Sequence, residues 1–186
     1  MIGETRGTLP DLLGPGTRLL FVGVNPGLSA VAVQAPFPLR GNRFYAALFR
    51  AGITDRRIHA SAGFAPGDRD YLIDRGIGIT ALVPRATASA AELRPAELRA
   101  GVQNLITTVS RVKPQVVAFL GITAYRVAFA APGAVAGRQP GRLAGAQLWV
   151  VPNPSGRNRH ASVAELADAY RDVAVAAGLE LGPASG

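Results

Sequence analysis

The chain reads as a single α/β domain, a three-layer α/β/α fold around a central, mostly parallel, four-stranded sheet. Three observations predict this. Four short segments are apolar at nearly every position, as strands covered on both faces must be. Segments of helical periodicity lie between them, which gives the strand–helix alternation of a parallel sheet. Hydrophobic residues make up 48% of 186 residues, enough for one sizeable core.

The elements follow in order. Residues 18–24, "RLLFVGV", form the first strand, stopped by Asn-Pro-Gly. Residues 42–52, "NRFYAALFRAG", form a helix closed by Gly52, and a shorter helix is expected near 68–74. Residues 76–83, "GIGITALV", are the second strand. The helix at 94–112 has Pro95 in its first turn and one apolar face of Leu98, Val102, Leu105, Ile106 and Val109. Residues 115–121, "QVVAFLG", are the third strand, and "ITAYRVAFA" is a short helix. A Gly/Pro-rich loop is expected over 131–145. Residues 147–156, "QLWVVPNPSG", contain the fourth strand, again stopped by Asn-Pro. The last helix, 162–178, opens on a Ser162/Glu165 capping box and closes at Gly178. Residues 1–15 and 182–186 are expected to be flexible tails.

Composition narrows the chemistry. Cysteine is absent, which removes disulfides, thiolate nucleophiles and cysteine-ligated metal sites. The two histidines, His59 and His160, are not spaced with other ligands, so no metal and no cofactor is expected. No apolar run is long enough to span a bilayer, and the first residues lack a secretory pattern, so a cytoplasmic protein with no membrane partner is expected. The formal charge is +8. No Asp or Glu lies between Asp11 and Asp55, or between Glu97 and Glu165. Those two windows hold Arg18, Arg40, Arg43, Arg50, Arg99, Arg111, Lys113, Arg126, Arg138, Arg142, Arg157 and Arg159. A surface built from them attracts a polyanion, and nucleic acid is the expected partner.

Two strand ends carry the same punctuation, "GVNPG" and "VPNPSG". Ligands of open parallel sheets bind beyond the carboxyl ends of the strands. Neither motif is a phosphate-cradling Gly-rich loop, and no GxSxG is present. A site without a strong base suits a centre that almost reacts alone, such as an N-glycosidic bond. An asparagine amide there needs only to place a water, and fixed dipoles stabilise the departing base.

"GVNPGLSA" with "NRF" downstream, and "VPNPSGRNR" near the end, resemble the mismatch-specific uracil-DNA glycosylases, the Mug/thymine-DNA glycosylase family. The resemblance covers residues 16 to 175. It implies a monofunctional DNA glycosylase that excises uracil, best from G·U mismatches, by flipping the base and directing water at the sugar. By resemblance Asn25 positions the water. Val24, Phe37, Asn153, Ser29 and Asn42 line the base pocket, with Phe37 stacking on the flipped base. Asn42 either supports the pocket or caps the following helix. Ser155, Gly156, Arg157, Asn158 and Arg159 form the loop that enters the duplex. The backbone of Gly156 and Asn158 pairs with the orphaned guanine there, and Arg157 fills the gap. Three positions depart from the bacterial pattern: Ala30 after Ser29, Ala81 where a polar residue is usual, and Arg157 in place of Leu. The implied partner is double-stranded DNA with a G·U mismatch or a damaged base. The implied protein is a bacterial, nucleoid-associated monomer. The rival expectations are a nucleoside N-glycosidase acting on free small molecules and a catalytically silent damage-binding module.

Overall fold

A computed structural model describes residues 7–185. Four strands run parallel: β1 (Leu19–Gly23), β2 (Ile77–Ala81), β3 (Val116–Leu120) and β5 (Ala146–Val151). The strand count needs correction from four to five. Gly137–Leu143, expected as part of a loop, forms β4 and pairs antiparallel with β5. Its sequence, GRQPGRL, has no apolar run, and its register is irregular between Arg138 and Arg142. An edge strand tolerates such a sequence because Pro140 need not donate to a neighbour on its open side. The sheet order is β2-β1-β3-β5-β4.

The strands are apolar throughout because alternate residues enter two cores. Leu19, Phe21, Val116, Ala118, Ile77, Ile79 and Val151 face one side. They pack against α2 (Phe44–Arg50), α3 (Asp68–Asp74) and α6 (Val163–Ala176). Leu20, Val22, Val117, Phe119, Leu148 and Val150 face the other, against α4 (Pro95–Val112) and α5 (Ile122–Ala128). The expected face of α4 is buried at Leu98, Leu105 and Val109, while Val102 and Ile106 are half-buried. The capping box of α6 is present: Ser162 N–H donates to Glu165 at 2.7 Å, and Glu165 N–H to Ser162 Oγ at 3.2 Å.

Two short elements lie outside the sequence expectations, α1 (Leu28–Val33) and a 3₁₀ turn at Ala90–Glu92. The described parts of the expected tails are tied down. Leu12 is 1% exposed and exchanges two backbone hydrogen bonds with Ile79, at 2.9 and 2.8 Å. Gly182 and Ser185 N–H groups donate to Gly52 and Arg50 carbonyls. Residues 1–6 and 186 lie outside the described residues. No helix among the described residues is long and apolar enough to cross a membrane.

From β1 the chain runs to β2 on one side; from β3 it runs through α5 to the edge strand β4 and back to β5 on the other. The order therefore switches between β1 and β3, and a crevice is expected at their carboxyl ends.

Candidate active site

A cavity of about 580 Å³ occupies that crevice. The carboxyl ends of four strands reach it: Gly23 and Val24 at the end of β1, Ala81 and Leu82 at the end of β2, Leu120 in β3, and Asn153 beyond β5. The two Asn-Pro motifs thus meet across one cavity.

Asn25 is half-buried on its wall. Its Nδ2 donates to Thr87 Oγ1 at 2.7 Å, to the Arg85 carbonyl at 2.9 Å and, more weakly, to the Pro26 carbonyl at 3.2 Å. Carbonyl oxygens only accept, so these neighbours dictate which end of the amide is nitrogen. Asn25 Oδ1 makes no hydrogen bond among the described residues. It is left as an acceptor. The 85–87 segment is itself held. Thr87 N–H donates to the Pro26 carbonyl at 3.2 Å, and Leu28 N–H to the Thr87 carbonyl at 3.1 Å. The Arg85 side chain forms a two-pronged ion pair with Glu97, at 2.8 and 3.1 Å. The Arg85 hydrogen bond, reinforced by the Arg94 N–H, pulls the Glu97 carboxyl down to about 2.

Phe37 lies between core and cavity. Its ring packs on Phe44 at 4.4 Å between centroids and adjoins Gly23 at the end of β1. Phe37 takes a left-handed conformation, φ +56°. Such strain costs of order 1–3 kcal/mol and persists where surroundings hold it. The preceding Pro36 carbonyl is held by the buried Tyr45 hydroxyl at 2.9 Å, and burial pushes that phenol well above its ordinary range. Asn42 lines the cavity, and its Oδ1 accepts the Phe44 N–H at 2.9 Å at the start of α2. Ser29 also lines the cavity, whereas the Val24 carbonyl is taken by the Val83 N–H at 3.0 Å.

Asn153 lines the cavity; its Oδ1 accepts the Ser155 N–H at 2.9 Å, and its Nδ2, beside Gly121, has no hydrogen-bond partner among the described residues. The loop beyond is built on such bonds. Asn158 Nδ2 donates to the Asn153 carbonyl at 2.9 Å, and Asn158 N–H to the Ser155 carbonyl at 2.9 Å. The Gly156 N–H has no partner among the described residues. A side chain at Gly156 would sit 2.9 Å from the Gly41 carbonyl, so glycine permits the two rim loops to touch. Arg157 is exposed at the cavity mouth, its Nη1 3.4 Å from Ser89 Oγ on the opposite wall. Arg159 and His160 are exposed.

The model of the uracil DNA glycosylase superfamily matches residues 10–174. The chain belongs to that superfamily. Membership supports a DNA glycosylase as the enzyme class and DNA as the partner. The fold is also similar to a solution NMR structure of a uracil DNA glycosylase candidate from Methanosarcina acetivorans. The TM-score is 0.59 at 19% identity, covering 90% of this chain and 97% of that one.

Sequence reasoning missed several residues of this superfamily member's cavity. Asp11, expected in a tail, is among the described residues the one acid lining the cavity, and it accepts Thr80 Oγ1–H at 2.8 Å. Burial raises its carboxyl above the ordinary range, against that hydrogen bond and the charges of Arg111 and Arg69. Thr87 and Arg85 gave no signal, because their partner Asn25 is some sixty residues away in sequence. Asn104 and Thr108 of α4 also reach the cavity. The basic residues do not form one continuous surface. Arg18 and Lys113 precede β1 and β3 and so lie at the amino ends of the strands, opposite the cavity. Arg40, Arg157 and Arg159 remain exposed on the rim segments. Among the described residues no group of three or more His, Asp or Glu is placed to hold a metal ion.

Proposed function

We propose that the protein is a monofunctional DNA glycosylase of the Mug/thymine-DNA glycosylase type, acting as a monomer on duplex DNA and excising uracil, preferentially opposite guanine. The observation that carries this is the orientation of Asn25, whose amide nitrogen is pinned by Arg85 and Thr87 so that Oδ1 is left to accept. A water donating one O–H to Oδ1 has its lone pair free for the sugar.

In this reading the flipped uracil enters the cavity, stacks on Phe37, and receives a hydrogen bond from Asn153 Nδ2 to a ring carbonyl. The C1′–N1 bond breaks and its electron pair leaves with the base. Donors such as Asn153 oppose the negative charge that develops there. The oriented water then bonds to C1′, and its proton passes to solvent, because a neutral amide does not hold it. Catalysis comes from placement and fixed dipoles rather than from a strong base. Arg157 fills the gap left in the duplex, and the unpaired Gly156 N–H is available to the orphaned guanine. The Asn158 N–H is already spent within the loop and is assigned no base contact.

The test is a gel assay on a duplex with one G·U mismatch, treated with alkali after incubation. Strand scission only after alkali is the expected result. Binding without scission would favour a silent damage-binding module. Release of base from free nucleosides, with the duplex left intact, would favour a small-molecule N-glycosidase.

A further inference from the structure

Arg43 lies in an acid-free window, where the sequence predicts a basic surface, but the structure turns it inward. Its Nη2 donates to the main-chain carbonyls of Ser155 at 2.8 Å and Asn158 at 2.7 Å, and its Nη1 donates to that of Ala161. Its own N–H donates to the Pro154 carbonyl at 3.0 Å. One residue at the head of α2 thus holds four carbonyls across the 154–161 loop. No carboxylate lies within ion-pair distance of it among the described residues, and its Nε–H is buried without a partner.

The geometry has two consequences. A rigid guanidinium fork can bond several carbonyls at fixed separations, which an ammonium on a flexible stem does not do. The loop is therefore shaped before it meets a ligand, with carbonyls of residues 155, 158 and 161 turned toward α2 and the Gly156 N–H left unpaired. Second, carbonyl dipoles hold the arginine without cancelling its charge. A carboxylate here would draw the guanidinium off the carbonyls and place negative charge beside a phosphate-facing rim. That gives a physical reason for acid-free sequence around both Arg43 and the loop it holds.

We propose that Arg43 is the positioning residue that pre-shapes the 155–161 loop for entry into duplex DNA. This rests on the glycosylase reading above. Ordering a loop in advance removes that cost from the binding step, and a small misplacement of such a loop is expensive for the reaction. The effect belongs to duplex substrate, since a base in single-stranded DNA needs no probing loop to leave a stack of paired bases.

The experiment uses Arg43→Lys and Arg43→Gln in the full chain, with two readouts. The first is hydrogen–deuterium exchange of the free protein. Exchange in peptides spanning 155–161 should rise about tenfold or more, the equivalent of about one lost hydrogen bond, while β3 and α6 stay protected. The second is single-turnover cleavage of uracil in duplex and in single-stranded DNA. The duplex rate should fall at least about tenfold further than the single-strand rate. Unchanged exchange in both variants overturns the proposal. Faster loop exchange with proportional loss on both substrates also overturns it, leaving Arg43 a general stabiliser. Should one variant fail to fold, the other carries both readouts. A wild-type protein that cleaves neither substrate instead overturns the glycosylase reading, and the exchange arm still decides whether Arg43 holds the loop.

Discussion

Replacing Asn25 with Ala removes the one group whose orientation carries the proposed chemistry. The amide nitrogen has two protons and three acceptors within 3.2 Å. Losing about two hydrogen bonds costs roughly 1–3 kcal/mol of stability at about 0.5–1.5 kcal/mol each. For a domain of this size that lowers Tm by about 2–4 °C per kcal/mol, so the variant stays folded at assay temperature. Loss of water placement is expected to be larger in its effect on rate. A hundredfold fall in single-turnover cleavage, about 2.7 kcal/mol of transition-state stabilisation, is the minimum expected. The assay mixes excess protein with a labelled G·U duplex, quenches over time and treats with alkali. Binding is followed separately by fluorescence anisotropy on the same duplex and should stay within about threefold of wild type, because Asn25 contributes to the transition state more than to the ground state. A variant that cleaves within about fivefold of wild type would remove Asn25 from the mechanism, since no such small loss fits a water-positioning group.

Other outcomes follow from the same geometry. Asp11→Asn should leave the single-turnover rate within about threefold of wild type, because a placed water attacking an almost free cation needs no carboxylate; a loss of about a hundredfold would make Asp11 the general base. Glu97 has its carboxyl held near 2 by Arg85, below the ordinary 4.5. Its contribution to stability is therefore complete above 4.5, declines as pH falls, and is gone near 2. The Tm difference between wild type and Glu97→Gln should shrink as thermal melts are taken from about pH 6 to about pH 3, and a constant difference would contradict the ion pair. Arg157→Ala should slow duplex cleavage far more than single-strand cleavage, while Arg157→Leu restores much of the duplex rate through apolar filling of the gap. Equal behaviour of the two variants would reduce Arg157 to a phosphate contact.

By itself the sequence determined the four parallel strands and pointed to the carboxyl ends of the sheet, where the cavity lies. Strands such as LLFVG and VVAFL are covered on both faces, so burial writes itself into nearly every side chain, and helix–strand alternation then leaves a parallel sheet. Asn25 and Asn153 were legible because each interrupts an apolar run with a polar residue that a buried strand end does not otherwise need. The fold decided what holds those residues. Asn25 hangs on a carbonyl sixty positions away, and Arg43 on carbonyls 112, 115 and 118 positions away. Every residue carries the same carbonyl, so a bond to the main chain leaves no mark in the identity of the acceptor. The same reason hid β4, where ladder bonds to β5 hold a segment rich in Gly, Arg and Pro. It also hid the inward turn of Arg43, since charge counted along a chain does not say which side chains the packing withdraws from solvent.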